Sequence, residues 1–333
     1  MNPESLSPII GDSPAMCRAR ELIDRYAPSA LSILLVGATG TGKELLARHI
    51  HARSGRIGRF VAVNCGALPH EMAEGLLFGY ERGAFSGAVT RHHGHVECAE
   101  GGTLFLDELL SLPLDGQVKL LRTLDTGEIQ RLGEETERYL DVRVVGAMQE
   151  DIAERVASGG FRRDLYQRLA GLVIELLPLA ARMEDVRPLA EYFAGQRGQR
   201  LEPRAVEELT SYSWPGNVRE LRLAIERAGL LVEDGTLPQG AVRSAIRMGA
   251  LTGRTAGREG ALIPARELAL TIVECEAHKW DTRSAAASLG IARSTLYYRL
   301  KAAGVSPRAS RKAHLEFHWN SMEFQRGPGD QSC

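Results

Sequence analysis

The chain has 333 residues, of which 44% are hydrophobic and 25% charged, and its formal net charge is −1. This length allows two or three domains, the composition is ordinary for a soluble globular protein, and the charge balance argues against a uniformly basic nucleic-acid coat. Five scattered cysteines form no Cys-x-x-Cys pair, which excludes the common zinc spacing and suits a reducing compartment. No stretch resembles a signal peptide or a membrane span, so we expect a cytoplasmic protein without membrane partners.

A strand, a glycine-rich loop and a helix follow one another near the start of the chain. Residues 8–16 lead into a first helix, and the apolar run 31–36 is typical of a buried parallel strand. Next come a loop with the spacing Gly-x-x-x-x-Gly-Lys and a run, 45–50, that is apolar at helical spacing. Such loops bind phosphate because glycines let backbone N–H groups converge on an anion, while the lysine reaches the β- and γ-phosphates. We predict phosphate binding by eight loop residues, Gly37, Ala38, Thr39, Gly40, Thr41, Gly42, Lys43 and Glu44.

Strand-like and helical runs alternate from about residue 31 to residue 178. Short, continuously apolar strands separated by helices predict an α/β fold with a parallel sheet covered by helices on both faces, that is, three layers. The predicted segments are an α/β domain at 1–178, an α-helical domain at 179–232, a linker at 233–263, a small all-α domain at 264–305 and a poorly ordered tail at 306–333.

The apolar strand that begins at Gly102 ends in two adjacent carboxylates, Asp107 and Glu108. Since such acids face the ligand crevice of an open α/β sheet, we predict that Asp107 holds Mg²⁺, directly or through water. Glu108 would orient or deprotonate the water that attacks a γ-phosphate. Asn64 ends another strand and could hydrogen-bond Glu108, although it could equally be a strand-end turn residue. The acids themselves could instead be a solvated helix start.

Three arginines are further candidates. Arg162 and Arg168 lie far along the chain from the loop, and phosphoryl transfer gains from a guanidinium that a neighbouring subunit often supplies. Arg219 follows Asn217, a predicted N-cap, and Glu220 stands where it would complete a capping box. This cap would hold Arg219 at a helix start, where it could report nucleotide state to the helical domain. Each arginine could also be an ordinary surface charge.

Residues 77–88, Leu-Phe-Gly-Tyr-Glu-Arg-Gly-Ala-Phe-Ser-Gly-Ala, are the most distinctive stretch. Glycine and alanine around one phenylalanine are poor core material, so we expect an exposed hydrophobic contact tip at Phe85. This stretch resembles the GAFTGA loop of the bacterial enhancer-binding activators of sigma-54 RNA polymerase, a family of AAA+ ATPases. The resemblance covers about residues 8–232 and a further part at 264–305.

The resemblance implies an AAA+ fold, hydrolysis of ATP with Mg²⁺ between the subunits of a ring, expected to be a hexamer, and remodelling of the sigma-54 RNA polymerase closed complex. Asp107 and Glu108 would be the Walker B pair, Asn64 the partner of Glu108, and Arg162 and Arg168 trans-acting arginine fingers. The other implied nucleotide-site residues are Ile10, Gly11, Arg219 as sensor II and Gln149 as sensor I. The implied sigma-54 contacts are Gly83, Ala84, Phe85, Ser86, Gly87 and Ala88.

The sequence departs from the family pattern at three points. Ser86 replaces a threonine and keeps the hydroxyl, so we expect altered coupling but retained function. Met148-Gln149 replaces the usual Thr-Asn of sensor I, which moves the amide one methylene further out. The usual N-terminal receiver or sensory domain is also missing, so we expect regulation by a partner protein, by a paralogous subunit or by expression level. Glu44, where phosphate loops in general have Ser or Thr, is common in this family.

Residues 282–300 are predicted to form a helix, a tight turn at Gly290 and a second helix. Residues 266–312 carry nine Lys/Arg against four Asp/Glu, a local positive excess typical of DNA binding. The segment resembles the Fis-type helix-turn-helix that ends most enhancer-binding activators, the alternative being a basic hairpin for oligomer contacts. The predicted DNA contacts in the second helix are Arg293, Ser294, Thr295, Tyr298, Arg299 and Lys301.

We therefore interpret the chain as a sigma-54-dependent activator that binds upstream enhancer DNA and lacks its own sensory domain. One alternative is an AAA+ chaperone or DNA-remodelling ATPase that uses Phe85 to grip another substrate. A second, non-enzymatic alternative is a nucleotide-binding DNA regulator whose Gln149 site has lost turnover.

Overall fold

The computed structural model describes residues 6–149, 152–253, 275, 278, 282–289 and 296. The chain divides into two compact units, Met1–Gly257 and Arg258–Cys333. Within the described parts, no helix combines the length and apolar character that crossing a membrane requires.

The elements are short and alternate along the first unit. Its strands are β1 (Ile33–Val36), β2 (Phe60–Asn64), β3 (Gly79–Tyr80), β4 (His92–His93), β5 (Thr103–Asp107), β6 (Glu128–Ile129), β7 (Arg138–Tyr139), β8 (Arg143–Met148), β9 (Leu172–Glu175), β10 (Arg200–Leu201) and β11 (Thr236–Leu237). Its helices are α1 (Pro14–Tyr26), α2 (Lys43–Arg53), α3 (Ala73–Phe78), α4 (His95–Cys98), α5 (Leu114–Thr126), α6 (Ile152–Ala157), α7 (Arg163–Leu169), α8 (Val186–Gly195), α9 (Pro203–Thr210), α10 (Asn217–Leu230) and α11 (Gln239–Gly253). Short 3₁₀ turns occur at Cys65–Ala67, Leu109–Ser111, Leu179–Ala181 and Met183–Asp185.

Five parallel strands form the central sheet in the order β2-β5-β8-β1-β9. Successive side chains of a strand point to opposite faces, so the apolar strands supply two cores. Leu34 and Val144 pack on one face with the core that includes α5 and α7, whereas Ile33 and Val145 pack on the other face with α1 and α2. The predicted three-layer α/β fold with a parallel sheet is therefore confirmed.

Helices α8 to α11 enclose a separate core. Trp214, which is 1% exposed, lies in it, donates its indole N–H to the Leu209 carbonyl at 2.9 Å and contacts the ring of Tyr212 edge-on. Besides its helices, this part of the chain contains a short parallel ribbon, in which β10 pairs with β11.

The prediction of a linker at 233–263 is wrong for much of that range, because α11 spans Gln239–Gly253. Ala241, Val242 and Ala245 are buried in the core formed with α9 and α10. Tertiary packing therefore overrides the weak helical signal of a stretch rich in glycine, threonine and arginine.

In the second unit, the described residues include one helix, α12 (Thr282–Ser288), at the place where the sequence predicts the first helix of a helix-turn-helix. The predicted DNA-contacting residues Arg293, Ser294, Thr295, Tyr298, Arg299 and Lys301 lie outside the described residues.

Candidate functional site

The glycine-rich loop joins β1 to α2 at the carboxyl edge of the sheet. Gly40 and Gly42 have φ angles of +81° and +107°, a region that L side chains rarely adopt. A Cβ at Gly40 would lie 2.5 Å from the carbonyl oxygen of Gly216, so the close approach of the loop to the start of α10 requires glycine. Gly42 directly precedes α2, and the loop therefore presents the unpaired N–H groups of that helix end.

Lys43, the first residue of α2, lies within the loop rather than on the surface. Its Nζ donates to the carbonyl oxygens of Gly37, at 2.6 Å, and Ala38, at 3.1 Å. Burial lowers the pKa of Lys43, whereas the carboxylate of Asp107 acts in the opposite direction. The ammonium group is thus held between the loop and the acidic end of β5, where it can meet a phosphate. The carboxylate of Glu44 forms an ion pair with Arg48, Oε1 to Nη2 at 2.6 Å.

The two predicted carboxylates lie at the end of β5, beside the end of β2. Asp107 pairs in register with Asn64, and its Oδ1 accepts the N–H of Glu108 at 2.9 Å. Glu108 adopts a left-handed φ of +51°, a conformation that costs a non-glycine residue energy and recurs at functional sites.

Asn64 does not hydrogen-bond Glu108 among the residues that the structure describes; its Oδ1 instead accepts the N–H groups of Gly66, at 2.8 Å, and Ala67, at 3.1 Å. Of the two roles that the sequence leaves open for Asn64, the structure shows that of a strand-end turn residue, because the amide oxygen caps the 3₁₀ turn that follows β2. Glu108 nevertheless lies beside this turn. Its Oε2 is so close to Gly66 that a Cβ at Gly66 would collide with it.

The loop residue Thr39 is hydrogen-bonded both to the residue that follows β8 and to the start of α10. Gln149, just after β8, donates its side-chain amide to Thr39 Oγ1 at 2.9 Å. Asn217 donates its Nδ2 to the Thr39 carbonyl at 3.0 Å, and the Arg219 N–H donates to the Gly40 carbonyl at 3.3 Å. The start of α10 is therefore bonded directly to the phosphate loop.

The predicted N-cap role of Asn217 is wrong. Gly216 occupies the N-cap position, and the Glu220 carboxylate accepts its N–H at 2.7 Å. Asn217 has a φ of +55° and uses its side chain for the loop and for the Leu179 N–H, which it accepts at 2.7 Å. These are long-range partners, which local spacing cannot indicate.

These groups surround a cleft of about 620 Å³. The predicted residues that line it are Ile10, Thr39, Gly40, Thr41, Gly42, Lys43, Glu44, Asn64, Asp107, Glu108, Gln149 and Arg219. Gly11, Gly37 and Ala38 are not among the lining residues. The sequence analysis missed one apolar wall, formed by Ile9, Leu189, Tyr192 and Phe193, and three further arginines, Arg155, Arg182 and Arg222. Of these three arginines, only Arg222 could have been identified from the sequence, because it lies one helical turn after the predicted site residue Arg219.

Arg162 and Arg168 do not line this cleft. Arg162 forms an ion pair with Asp164 at 2.6 Å, and Arg168 pairs with Asp125 at 2.9 Å. Both guanidinium groups are exposed and paired with carboxylates outside the cleft.

Residues 83–88 form a tight turn on the ribbon of β3 and β4. Gly83 N–H donates to the Ala88 carbonyl at 2.9 Å, and Phe85, 39% exposed, meets Tyr80 edge-on with ring centroids 5.0 Å apart. Below the turn, the guanidinium of Arg131 is fully buried between the carboxylates of Glu81 and Glu97. Sequence analysis missed Arg131, because a single buried arginine has no local pattern.

Two family models match the chain, the Sigma-54 interaction domain over residues 9–175 and an AAA+ ATPase lid domain over residues 180–258. The second match extends well beyond residue 232, in agreement with the packing of α11.

The chain is 47% identical over 236 residues to the anaerobic nitric oxide reductase transcription regulator NorR of Vibrio vulnificus (strain YJ016), covering 68% of this chain and 46% of that protein. It is 40% identical over 307 residues to the C4-dicarboxylate transport transcriptional regulatory protein DctD of Rhizobium meliloti (strain 1021), covering 90% of this chain and 65% of that protein. The chain thus spans less than two thirds of the length of either curated relative.

Among solved structures, NtrX from Brucella abortus in complex with ADP aligns with a TM-score of 0.65 at 32% identity, covering 90% of this chain and 70% of that chain. This likeness supports an AAA+ fold for the sheet, the loop and the surrounding helices. Since the Sigma-54 interaction domain model matches half of the chain, this chain belongs to the Sigma-54 interaction domain family of AAA+ proteins.

Proposed function

We propose that this chain is an ATP-hydrolysing transcriptional activator of sigma-54 RNA polymerase. The observation that carries the proposal is the meeting of Lys43, Asp107 and Glu108 in one cleft of a Sigma-54 interaction domain. The likeness to NtrX, solved in complex with ADP and with ATP, supports a nucleotide as the occupant of that cleft.

The chemistry follows from the charges around the cleft. Lys43 and the N–H groups at the start of α2 neutralise the phosphate chain, and Glu108 orients the attacking water and takes up its proton. Mg²⁺, which supplies charge neutralisation at the phosphates, is usually held by one or two carboxylates plus the phosphates themselves. Asp107 fits that role, and the described residues contain no cluster of three or more His, Cys, Asp or Glu that would form a separate metal cage.

Arg162 and Arg168 complete a site on a neighbouring subunit of a ring, which we expect to be a hexamer. Their exposure and their position outside the lining of their own cleft support action in trans. An arginine that neutralises the γ-phosphoryl group accelerates phosphoryl transfer by orders of magnitude, so turnover would depend on assembly.

Phe85 and its neighbours Gly83, Ala84, Ser86, Gly87 and Ala88 contact sigma-54. An apolar ring exposed on a short turn is suited to such a contact, because it buries area only in a complex. Hydrolysis would move this turn against sigma-54 and drive opening of the promoter complex.

The C-terminal unit binds upstream enhancer DNA through a Fis-type helix-turn-helix. Its positive local charge and α12 support this assignment, as does the match to DctD, which at 90% of the chain extends past the lid domain. Regulation by a partner protein or a paralogous subunit is part of the same proposal.

The test is steady-state ATP hydrolysis as a function of protein concentration, with Lys43→Ala as the blank. We expect turnover per protomer to rise with concentration, because each site needs arginines from a neighbour. No turnover above the blank at any concentration would contradict the proposal and favour a regulator without activity.

A second measurement identifies the target. A complex with purified sigma-54 is expected in the presence of a transition-state nucleotide analogue, and Phe85→Ala should abolish it without lowering ATP hydrolysis. Hydrolysis without a nucleotide-dependent sigma-54 complex would favour an AAA+ chaperone.

A further inference from the structure

Arg182, which lines the cleft, forms a buried ion pair with Asp185. The two residues are 3% and 0% exposed, and Arg182 Nη1 lies 3.4 Å from Asp185 Oδ2. Burial of a charged pair is costly unless its remaining polar atoms also find partners. Those partners come from the N-terminal segment and from the phosphate loop, and both of these parts of the chain contribute residues to the lining of the cleft.

Asp185 holds the N-terminal segment. Its Oδ1 accepts the backbone N–H of Ser13 at 2.8 Å, and its Oδ2 accepts the Ser13 hydroxyl at 2.7 Å. Gly11 lies so close that a Cβ there would be 2.7 Å from the carboxylate. Residues 7–10, directly before this contact, line one side of the cleft.

Arg182 holds the phosphate loop. Its Nη2 donates to the Thr41 carbonyl at 3.0 Å, and its Nε donates to the Leu177 carbonyl at 3.0 Å, beyond the end of β9. A planar guanidinium can make such contacts at fixed angles, so the loop carbonyl is tied rigidly to the ion pair.

The same pair lies at the start of the helix that forms the apolar wall of the cleft. Asp185 directly precedes α8, which carries the cleft-lining side chains of Leu189, Tyr192 and Phe193. One buried pair therefore joins three parts of the cleft: the N-terminal segment, the apolar face of α8 and the phosphate loop. The N-terminal segment and the face of α8 are apolar and suit a nucleotide base, whereas the phosphate loop suits the phosphates.

We propose that Arg182, Asp185 and Ser13 are positioning residues that set the separation between the base-binding wall and the phosphate loop. They make the cleft bind a whole nucleotide more tightly than a bare polyphosphate. The inference rests on nucleotide binding in this cleft and is independent of sigma-54 and DNA.

The test compares binding of ADP with binding of inorganic tripolyphosphate to the full chain by calorimetry. We expect Ser13→Ala and Asp185→Asn to weaken ADP binding about tenfold, the effect of losing one hydrogen bond to a charged group. Tripolyphosphate binding should change less than about twofold, because the loop keeps its own contacts.

Two variants control the interpretation. Ser13→Thr retains the hydroxyl and should restore ADP binding to the wild-type level. Ser29→Ala removes a hydroxyl from the other end of α1, where it donates to the Tyr26 carbonyl at 2.8 Å, and should leave both ligands unaffected. Asp185→Asn leaves the cap of α1 by Ser13 in place, and this separates loss of the pair from loss of the cap.

Equal weakening of both ligands, or lower thermal stability with unchanged ADP binding, would assign the pair a purely structural role and overturn the inference. Wild-type chain that binds no ADP would overturn the proposed function together with the inference. Wild-type binding with no change of the ADP-to-tripolyphosphate ratio in the variants would overturn the inference alone.

Discussion

The side-chain amide of Gln149 donates to the hydroxyl of Thr39 across 2.9 Å, and so joins the end of β8 to the phosphate loop. An asparagine, one methylene shorter, could not make the same contact without a backbone shift. Gln149 is therefore bonded to the loop at Thr39, the same residue whose carbonyl accepts the side-chain amide of Asn217 in the lid.

The Gln149–Thr39 contact predicts coupled effects on turnover. We expect Gln149→Ala and Thr39→Val each to lower kcat for ATP hydrolysis about fivefold, the effect of one neutral hydrogen bond. The double variant should be no slower than either single variant, because all three lack the same bond. Multiplying effects would show that Gln149 acts independently of Thr39. Gln239→Ala, whose amide contacts Glu208 on the lid surface, is the matched control.

Asn217 is expected to contribute both to the free energy of unfolding and to the geometry of the nucleotide site. Asn217→Ala leaves the buried Leu179 N–H unpaired and places alanine at φ +55°, so we expect a loss of about 2–4 kcal/mol of unfolding free energy. Asn217→Asp retains the acceptor and the tolerance of that backbone conformation but loses the donor to Thr39. It should lose clearly less stability in urea titrations while raising KM for ATP. Equal losses from both variants would contradict the assignment.

Arg168 is predicted to act across a subunit boundary. Arg168→Ala and Lys43→Ala should each abolish ATP hydrolysis when assayed alone. Mixing the two variants should restore measurable activity, because an intact loop in one subunit then meets an intact arginine from the next. A mixture as inactive as its components would exclude the proposed action in trans. Arg187→Ala, an exposed ion-paired arginine on α8, serves as the control.

The buried His51 and the half-buried His95 predict that the fold loses stability in acid. His51 is 4% exposed, its Nδ1 lies 2.9 Å from Thr103 Oγ1, and burial lowers its pKa below the usual value. Below about pH 6.5 the unfolded chain takes up a proton that the folded chain does not, so stability falls as the pH drops. His95, whose pKa burial also lowers, contributes in the same direction.

The measurement is urea unfolding between about pH 5 and pH 7.5, the window in which an unfolded histidine titrates. His51→Gln should flatten the decline in stability on the acid side, although its stability at neutral pH can be lower. His70→Gln, an exposed histidine, should leave the slope unchanged. An unchanged slope in His51→Gln would show that folding does not lower the pKa of His51, and would contradict the prediction.

The phosphate loop, the carboxylate pair and the parallel sheet could be predicted because each is encoded by neighbouring residues. The glycine spacing, the apolar strands and the two acids at the end of β5 are local sequence patterns, and each of them usually corresponds to one kind of structure. The exposure of Phe85 was predictable for the same reason.

The connections between these parts could not be predicted. Arg182, Asp185 and Ser13 resemble ordinary charged and capping residues until the fold brings them together across 172 positions. Asn217 looked like a helix cap because the sequence does not show that Thr39 and Leu179 lie beside it. The sequence predicts a linker where α11 lies, because the stability of α11 comes from packing on α9 and α10 and not from a local pattern.

Trp214 has a practical consequence for following this protein in solution. Its buried indole lies three residues before Asn217, which is bonded to the phosphate loop. The other two tryptophans are Trp280 and Trp319. Replacement of both by phenylalanine would leave Trp214 as the single tryptophan, buried in the lid core next to the helix start that contacts the phosphate loop. We expect its fluorescence to change if nucleotide binding alters the packing of that core, and stopped-flow measurements could then time the change without any attached dye.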